Sequence, residues 1–223
     1  MQASRVLEIF NRLGIIIRND HFIYTSNRDG TEMHGSTYIN KDGLYPYPNE
    51  TFKLCRELAK RSLCHLGDSI NCVVGPEKGG IILSQLVSHF LMELMNTGMR
   101  KQTVVSLFAE KIKNTAGKTG FIFNRGYGDL VADKDVLIVE DVMNTGESVR
   151  KVADLVEQYG GRVWAVGSLC NRGSASAQDI GIPRMFSLLD ICMESWSADM
   201  CPLCIEGFPV NRQFGKGKEF VAG

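Results

Sequence analysis

The feature that most restricts the fold of this chain is a series of short, continuous apolar runs separated by helix-like segments. The runs show no alternation of polar and apolar positions, and they occupy residues 71–75, 103–108, 136–139, 163–169 and 185–189. Between them, apolar residues recur every three or four positions at 49–66, 81–94 and 148–159. Strands that are apolar on both faces and alternate with helices are typical of a covered parallel sheet. The sequence therefore predicts an α/β fold, with a mostly parallel sheet flanked by helices.

The first 48 residues have a different pattern. Helical spacing over residues 4–13 is followed by short β-like pieces at 15–17 and 22–24, broken by Asn, Asp and Gly. We therefore predict an N-terminal helix and a small β-containing lobe over 1–48. The α/β core would span 49–223, and the 223 residues would form one compact domain overall.

Charge and cysteine usage exclude several classes of partner. The 25 basic residues balance the 25 acidic ones, so nothing favours electrostatic binding to nucleic acid or to an anionic membrane. No apolar stretch approaches the roughly 20 residues that span a bilayer, and the N-terminus reads as an amphipathic helix rather than a signal peptide. Seven cysteines is an odd number, and five lie singly inside apolar runs. We expect reduced thiols and a cytoplasmic location.

One strand end carries a candidate binding site. Glu140 and Asp141 directly follow the apolar run 136–139, and the turn-like residues 144–148 lead into a helix. Ligands of α/β sheets bind at the carboxyl ends of the strands. Two acids there can accept hydrogen bonds from vicinal hydroxyls or bind a hydrated cation, and a helix N-terminus suits a phosphate. The pattern favours a ribose 5-phosphate ligand, although solvated turn acids with a simple helix cap would read the same way.

Residues 136–148 resemble the 5-phosphoribosyl 1-pyrophosphate (PRPP) signature of the type I phosphoribosyltransferase family. The resemblance implies that Glu140 and Asp141 hold the ribose 2- and 3-hydroxyls. It implies Mg²⁺ as cofactor, held by PRPP rather than by direct protein ligands, with Asp141 contacting it through water. It also implies that the 5-phosphate is bound by the loop residues Asn144, Thr145, Gly146, Glu147 and Ser148.

A second glycine-rich segment, 75–80, follows the run 71–75 and precedes a helix-like stretch. Its glycines allow close backbone approach to a phosphate, and Lys78 offers a cation. Standing alone, it would read as an ordinary strand-to-helix connection. It resembles the family's pyrophosphate loop, which implies PRPP binding by Lys78 and Gly79.

The polar, lysine-bearing stretch 110–120 resembles the catalytic loop of the orotate-specific members of this family. In those enzymes the loop closes over the pyrophosphate, usually of the neighbouring subunit, so the resemblance implies a homodimer. Lys111 and Lys113 are the candidate catalytic lysines. The Arg-Lys and His-Gly pairs that flank the loop's acid in many members are missing, so the choice between the two lysines stays open. By pattern alone, the stretch could equally be a solvated hairpin.

Arg172 stands after the run 163–169, where orotate-specific members carry a substrate-binding arginine, and Asn144 replaces a threonine that often touches the base. We assign both to base binding, since a guanidinium can grip the orotate carboxylate bidentately. Residues 21–38 resemble the family's N-terminal hood, with an insertion around 28–33 and without its usual lysine. The resemblance implies orotate phosphoribosyltransferase activity in pyrimidine biosynthesis. The altered hood leaves open a purine or another pyrimidine as substrate, or a regulatory protein that senses PRPP without turnover.

The C-terminal segment contains Cys201 and Cys204 in a Cys-Pro-x-Cys pattern. It resembles the tail of one bacterial and archaeal subgroup of the orotate enzymes. A single C-x-x-C pair supplies at most half of a zinc site, and the chain has no second pair. We interpret the segment as a structural tail rather than a metal or redox site.

Overall fold

The computed structural model describes residues 1–25, 31–96, 101–113, 119–173 and 175–217. These residues form six α-helices and nine β-strands, joined by turns that include two short 3₁₀ segments. The helices are α1 Ala3–Arg12, α2 Pro48–Leu66, α3 Gly79–Met95, α4 Tyr127–Val131, α5 Glu147–Gln158 and α6 Pro202–Ile205. The strands are β1 Ile16–Thr25, β2 Glu32–Ile39, β3 Cys72–Pro76, β4 Val105–Lys113, β5 Thr119–Ile122, β6 Asp135–Met143, β7 Arg162–Asn171, β8 Met185–Asp190 and β9 Trp196–Ser197.

The larger sheet has six strands in the order β5-β4-β3-β6-β7-β8. Neighbouring strands are parallel except for the edge strand β5, which pairs antiparallel with β4. The predicted fold class is therefore confirmed. The order places β3 and β6 side by side at the centre, so the segments that follow these two strands meet at one edge of the sheet.

The central strand β6 explains why the apolar runs do not alternate with polar residues. Leu137 and Val139 face a core that α1, α2 and α3 cover, whereas Val136 and Ile138 face a second core covered by α4 and α5. All four side chains are fully buried. A strand covered on both faces needs apolar residues at every position, which is the pattern that the sequence has.

The smaller sheet, in the order β1-β2-β9, is antiparallel. The predicted pieces 15–17 and 22–24 belong to one strand, β1, whose pairing with β2 is irregular between Arg18 and Phe22. Asn19 lies in this irregular stretch with a φ of 58°. Strand β9 comes from the C-terminal part of the chain, so the C-terminal segment joins the N-terminal lobe. The predicted division at residues 48 and 49 stays a prediction.

One predicted boundary is wrong. The strand predicted over 103–108 continues to Lys113, so Glu110, Lys111 and Lys113 lie in β4 rather than in a loop. They pair with β5, which corresponds to the hairpin interpretation of this stretch. This part of the strand was not predicted because β4 is exposed towards this end, and most of its exposed residues are polar like those of a loop. Residues 114–118, the rest of the predicted loop, lie outside the described residues. None of the helices in the described ranges has the length and apolar character needed to span a bilayer.

Candidate active site

The acid pair lies at the carboxyl end of β6 and is buried there. Glu140 is 8% exposed and Asp141 is 2% exposed. The Asp141 carboxylate accepts a hydrogen bond from the Tyr45 hydroxyl at 2.8 Å and another from the Lys41 ammonium at 3.2 Å. Both donors belong to the connection between β2 and α2. A buried carboxylate is costly unless it is paired and hydrogen-bonded, so this connection is held against the sheet by Asp141.

The electrostatics of the pair follow from burial and proximity. Burial, and then the neighbouring Asp141 carboxylate, raise the pKa of Glu140 well above its ordinary value. Burial alone would lower the pKa of Lys41, but the carboxylates of Asp141 and Glu140 outweigh it, so that pKa is raised. Burial and the Asp141 carboxylate also raise the pKa of Tyr45. A ligand that brings hydroxyl donors to the acids would suit such a site, because it adds hydrogen bonds without adding charge.

The glycine-rich segment 75–80 lies against the acid pair. At Gly79, the first residue of α3, a Cβ atom would overlap the Asp141 carboxylate and the Tyr45 hydroxyl. Only glycine therefore allows this close approach of the backbone. The peptide bond between Glu77 and Lys78 is cis, and the Lys78 side chain is exposed. The Glu77 carboxylate accepts a hydrogen bond from the Lys111 amide at 2.9 Å, which ties the segment to β4.

The segment 144–148, which comprises the turn after β6 and the first two residues of α5, borders a cavity of about 320 Å³. Gly146 has a φ of 76°, a conformation that favours glycine, and it directly precedes the first residue of α5. The first amides of a helix have no carbonyl partner within the helix, and the helix dipole makes this end positive. The cavity is also lined by Glu140, Lys111 and Lys151. Acid, helix N-terminus and cations thus share one concave site suited to a phosphorylated sugar.

The two candidate catalytic lysines differ in placement. Both are exposed on β4, but of these two lysines only Lys111 lines this cavity. Lys113 lies two residues further along, opposite Thr119 on β5. Lys151 on α5, which the sequence analysis did not select, also lines the cavity and forms an ion pair with Glu147 at 2.5 Å.

A second cavity, of about 1050 Å³, adjoins the first and shares Asn144, Thr145 and Glu147 with it. Arg172 and Asn144, which the sequence analysis assigned to base binding, both line it. The Arg172 amide donates to the Met143 carbonyl at 2.9 Å, and its guanidinium carbon lies 5.6 Å from the centre of the Tyr24 ring. Burial raises the pKa of Tyr24 to about 12, so the ring stays neutral beside the guanidinium. The guanidinium offers this cavity a bidentate partner for a planar anionic base.

Three residues near the site were not selected from the sequence: Lys41 and Tyr45, which contact Asp141, and Tyr24, which lines the second cavity. Lys41 and Tyr45 reach Asp141 across separations of 100 and 96 residues, so no local pattern indicates them. The lysine beside the acid pair, Lys41, comes from the connection after β2, outside the hood-like residues 21–38, which lack the family's usual lysine.

The profile of the family described as "Phosphoribosyl transferase domain" matches residues 47–201, more than half of the chain. This chain belongs to the phosphoribosyltransferase family. The match begins after β2 and ends at Cys201, so it covers the acid pair and the segments 75–80 and 144–148. The smaller sheet's two N-terminal strands lie outside it.

Comparison with curated relatives shows to which group of the family this chain belongs. The chain is 34% identical over 211 residues to the orotate phosphoribosyltransferase of Caldanaerobacter subterraneus subsp. tengcongensis, covering 94% of this chain and 96% of the relative. It is 32% identical over 213 residues to the Thermotoga maritima protein of the same name, covering 95% and 98%. The crystal structure of orotate phosphoribosyltransferase from Aeropyrum pernix has the same fold, with a TM-score of 0.57 at 18% identity over 83% of this chain and 93% of that one. This chain is therefore a phosphoribosyltransferase of the orotate group.

The loop geometry yields a prediction for Gly146→Ala. The substitution places a Cβ at positive φ and against the Ile180 side chain, which moves the loop. We expect PRPP affinity, measured by calorimetry with Mg²⁺, to fall by about tenfold or more, which is about 1.4 kcal/mol.

Gly160→Ala is the matched control, because Gly160 has a φ of 80° and no atom within 4 Å of the added Cβ. It should lower stability by about 1 kcal/mol through backbone strain and leave PRPP affinity unchanged. Equal PRPP affinity in the two variants would contradict the assignment of the 144–148 loop.

Proposed function

We propose that this chain is an orotate phosphoribosyltransferase. It transfers the 5-phosphoribosyl group of PRPP to orotate, giving orotidine 5′-phosphate and pyrophosphate in pyrimidine nucleotide biosynthesis. The observation that carries the proposal is the junction of two cavities at the 144–148 loop. One cavity offers Glu140, the neighbour of Asp141, and a helix N-terminus for a ribose phosphate, and the adjoining one offers Arg172 for an anionic base.

The placement of three segments supports the proposed PRPP binding. Glu140 and Asp141 would accept hydrogen bonds from the ribose hydroxyls, and the 144–148 loop would hold the 5-phosphate. The segment 75–80 would hold the pyrophosphate, with Gly79 allowing its backbone to lie against the acid pair and Lys78 exposed beside it. Lys41 and Tyr45 already compensate Asp141, so the ribose would meet a carboxylate fixed in position rather than a mobile one.

The chemistry at C1 of the ribose is a displacement. The bond from C1 to the pyrophosphate oxygen breaks, its electron pair leaves with pyrophosphate, and a ring nitrogen of orotate bonds to C1. The negative charge of orotate at neutral pH lies on its carboxylate, and the reacting ring nitrogen carries a proton, which passes to solvent as the bond to C1 forms. Positive groups on the leaving side would stabilise the departing charge, a role for Lys111 and Lys113. The buried acids would stabilise the positive charge that develops on the sugar.

We also propose Mg²⁺ as the cofactor. Mg²⁺ prefers oxygen ligands and usually keeps several waters. Both Asp141 oxygens already accept hydrogen bonds and the group is buried, so it fits a contact to a metal-bound water better than direct ligation. When bound to PRPP, the ion would neutralise pyrophosphate charge and orient the leaving group.

A homodimer with shared sites is a further part of the proposal. It is supported by the exposure of Lys111 and Lys113 on β4. Light scattering should give the mass of two chains, and a fully active monomer would contradict the arrangement. The cytoplasmic location stays a prediction from the cysteine pattern.

The direct test of function is a panel of bases with Mg–PRPP, in which pyrophosphate release is followed. We expect release with orotate, and little with uracil, adenine or hypoxanthine, because the base cavity contains a guanidinium suited to a carboxylate. A preference for another base would overturn the specificity and leave phosphoribosyl transfer intact. Micromolar PRPP binding without release for any base would favour the sensor alternative.

A second prediction isolates Arg172. Removing the partner of a desolvated carboxylate should cost about 2 kcal/mol or more, so Arg172→Ala should raise the orotate KM by roughly 30-fold or more. The KM for PRPP should change little, because the guanidinium lines the second cavity rather than the first.

Arg162→Ala is the matched control. Arg162 stands at the opposite end of β7, is largely exposed and pairs with Asp135. Its substitution should leave both KM values unchanged. An orotate KM that is the same in the two variants would remove Arg172 from the base site.

A further inference from the structure

The C-terminal Cys201 and Cys204 do not stand alone in the folded chain. They lie beside His21 of β1 and His34 of β2, and one potential ligand atom from each of the four residues lies within 4.8 Å of every other. His21 and His34 are each 1% exposed, Cys201 is fully buried and Cys204 is exposed. The chain has no second cysteine pair to complete a ligand set. Two histidines from the N-terminal part of the chain lie in its place.

The separations are close to those of a tetrahedral first shell. His21 Nε2 lies 2.8 Å from His34 Nδ1, and Cys204 Sγ lies 3.2 Å from the same Nδ1. Cys201 Sγ and Cys204 Sγ each lie 3.7 Å from His21 Nε2. Zinc bond lengths of about 2.05 Å to nitrogen and about 2.3 Å to sulfur give tetrahedron edges of about 3.3 Å for N–N and about 3.6 Å for N–S. The four atoms therefore need to move by only a few tenths of an ångström.

In each histidine, one ring nitrogen faces the cluster and the other, outer nitrogen faces away from it. The hydrogen-bond partner of the outer nitrogen determines which of the two carries the proton. His21 Nδ1 lies 2.8 Å from the Phe208 carbonyl oxygen, and His34 Nε2 lies 3.0 Å from a Glu32 carboxylate oxygen. Both oxygens are acceptors, so each ring donates through its outer nitrogen. In neutral rings, the inner nitrogens then carry lone pairs that face each other at 2.8 Å. Two facing lone pairs repel, and a cation bound by both relieves the repulsion.

This arrangement is the one that zinc-binding histidines adopt. A ligating histidine usually donates its second N–H to a backbone carbonyl or a carboxylate, which fixes the ring and its tautomer. Two thiols and two imidazoles form a closed, four-ligand set with no position left for substrate, and soft sulfur with imidazole favours Zn²⁺ over Mg²⁺. We propose that His21, His34, Cys201 and Cys204 form a structural Zn²⁺ site.

The site would fasten the C-terminal segment to the N-terminal sheet. Around it, the Asn211 amide donates to the His21 carbonyl at 2.7 Å, and His34 pairs with Trp196 of β9. Strand β2 then leads directly to Lys41 and Tyr45, which contact Asp141. Zinc would therefore hold the sheet from which these two residues extend, at a distance from the reacting groups. The interpretation of the C-terminal segment as a tail without metal gives way to this proposal.

The test begins with the metal content of the wild-type protein, purified without chelator from zinc-supplemented medium. We expect about one Zn²⁺ per chain by mass spectrometry of the metal. Replacement by Co²⁺ should give the visible absorption of a tetrahedral ion and a thiolate-to-cobalt charge-transfer band. Thermal unfolding should shift down by about 5 °C or more after zinc is removed with a chelator.

Two cysteine variants make the assignment specific. Cys204→Ser changes an exposed ligand, so the chain should still fold. It should lose about half of the thiolate-to-cobalt band and bind zinc about tenfold or more less tightly. Cys64→Ser is the control, because Cys64 is an exposed cysteine of α2 outside the cluster, and it should match the wild type.

Three results would overturn the proposal. One is a wild-type chain that takes up neither Zn²⁺ nor Co²⁺. Another is an unchanged cobalt spectrum in Cys204→Ser. The third is a Cys201–Cys204 disulfide found by peptide mass spectrometry in protein purified under reducing conditions.

Discussion

The buried carboxylate of Asp141 is the group around which the site is assembled. It is 2% exposed at the end of a central strand, where an unpaired charge would cost several kcal/mol. Tyr45 and Lys41 compensate it from one side, and the backbone at Gly79 presses against it from the other. A single acid thus joins three parts of the chain: the central sheet, the glycine-rich segment before α3, and the connection from the N-terminal sheet. Replacing it would remove their common partner.

The order of the strands in the larger sheet explains why two adjoining cavities lie near the acid pair. Strands β3 and β6 are neighbours, so the segments that follow them share one edge of the sheet. The segment 144–148 then borders both cavities, with Glu140 and the α5 N-terminus on one side and Arg172 on the other. A sugar phosphate and a base bound in the two cavities would meet near this loop, which is the geometry that transfer at C1 requires.

Most of the core, and the turn into a helix at 144–148, could be predicted from the sequence because their signals are local. A covered strand followed by two acids and a turn into a helix lies within 136–148, and the structure has this order. The contacts of Lys41 and Tyr45 could not be predicted, since they cross about a hundred residues and depend on how the N-terminal sheet docks. The same holds for the His/Cys cluster, whose members lie up to 183 residues apart. The β4 extension was missed because an exposed edge hairpin is as polar as a loop.

The measurement that tests the central claim most directly is a crystal structure with PRPP and Mg²⁺ bound. The account predicts the 5-phosphate within hydrogen-bonding distance of the amides of residues 144–148. It also predicts the ribose hydroxyls on Glu140 and Asp141, with Asp141 still held by Tyr45. A 5-phosphate bound elsewhere, for example against Arg172 in the second cavity, with the acids free of the ribose, would contradict it.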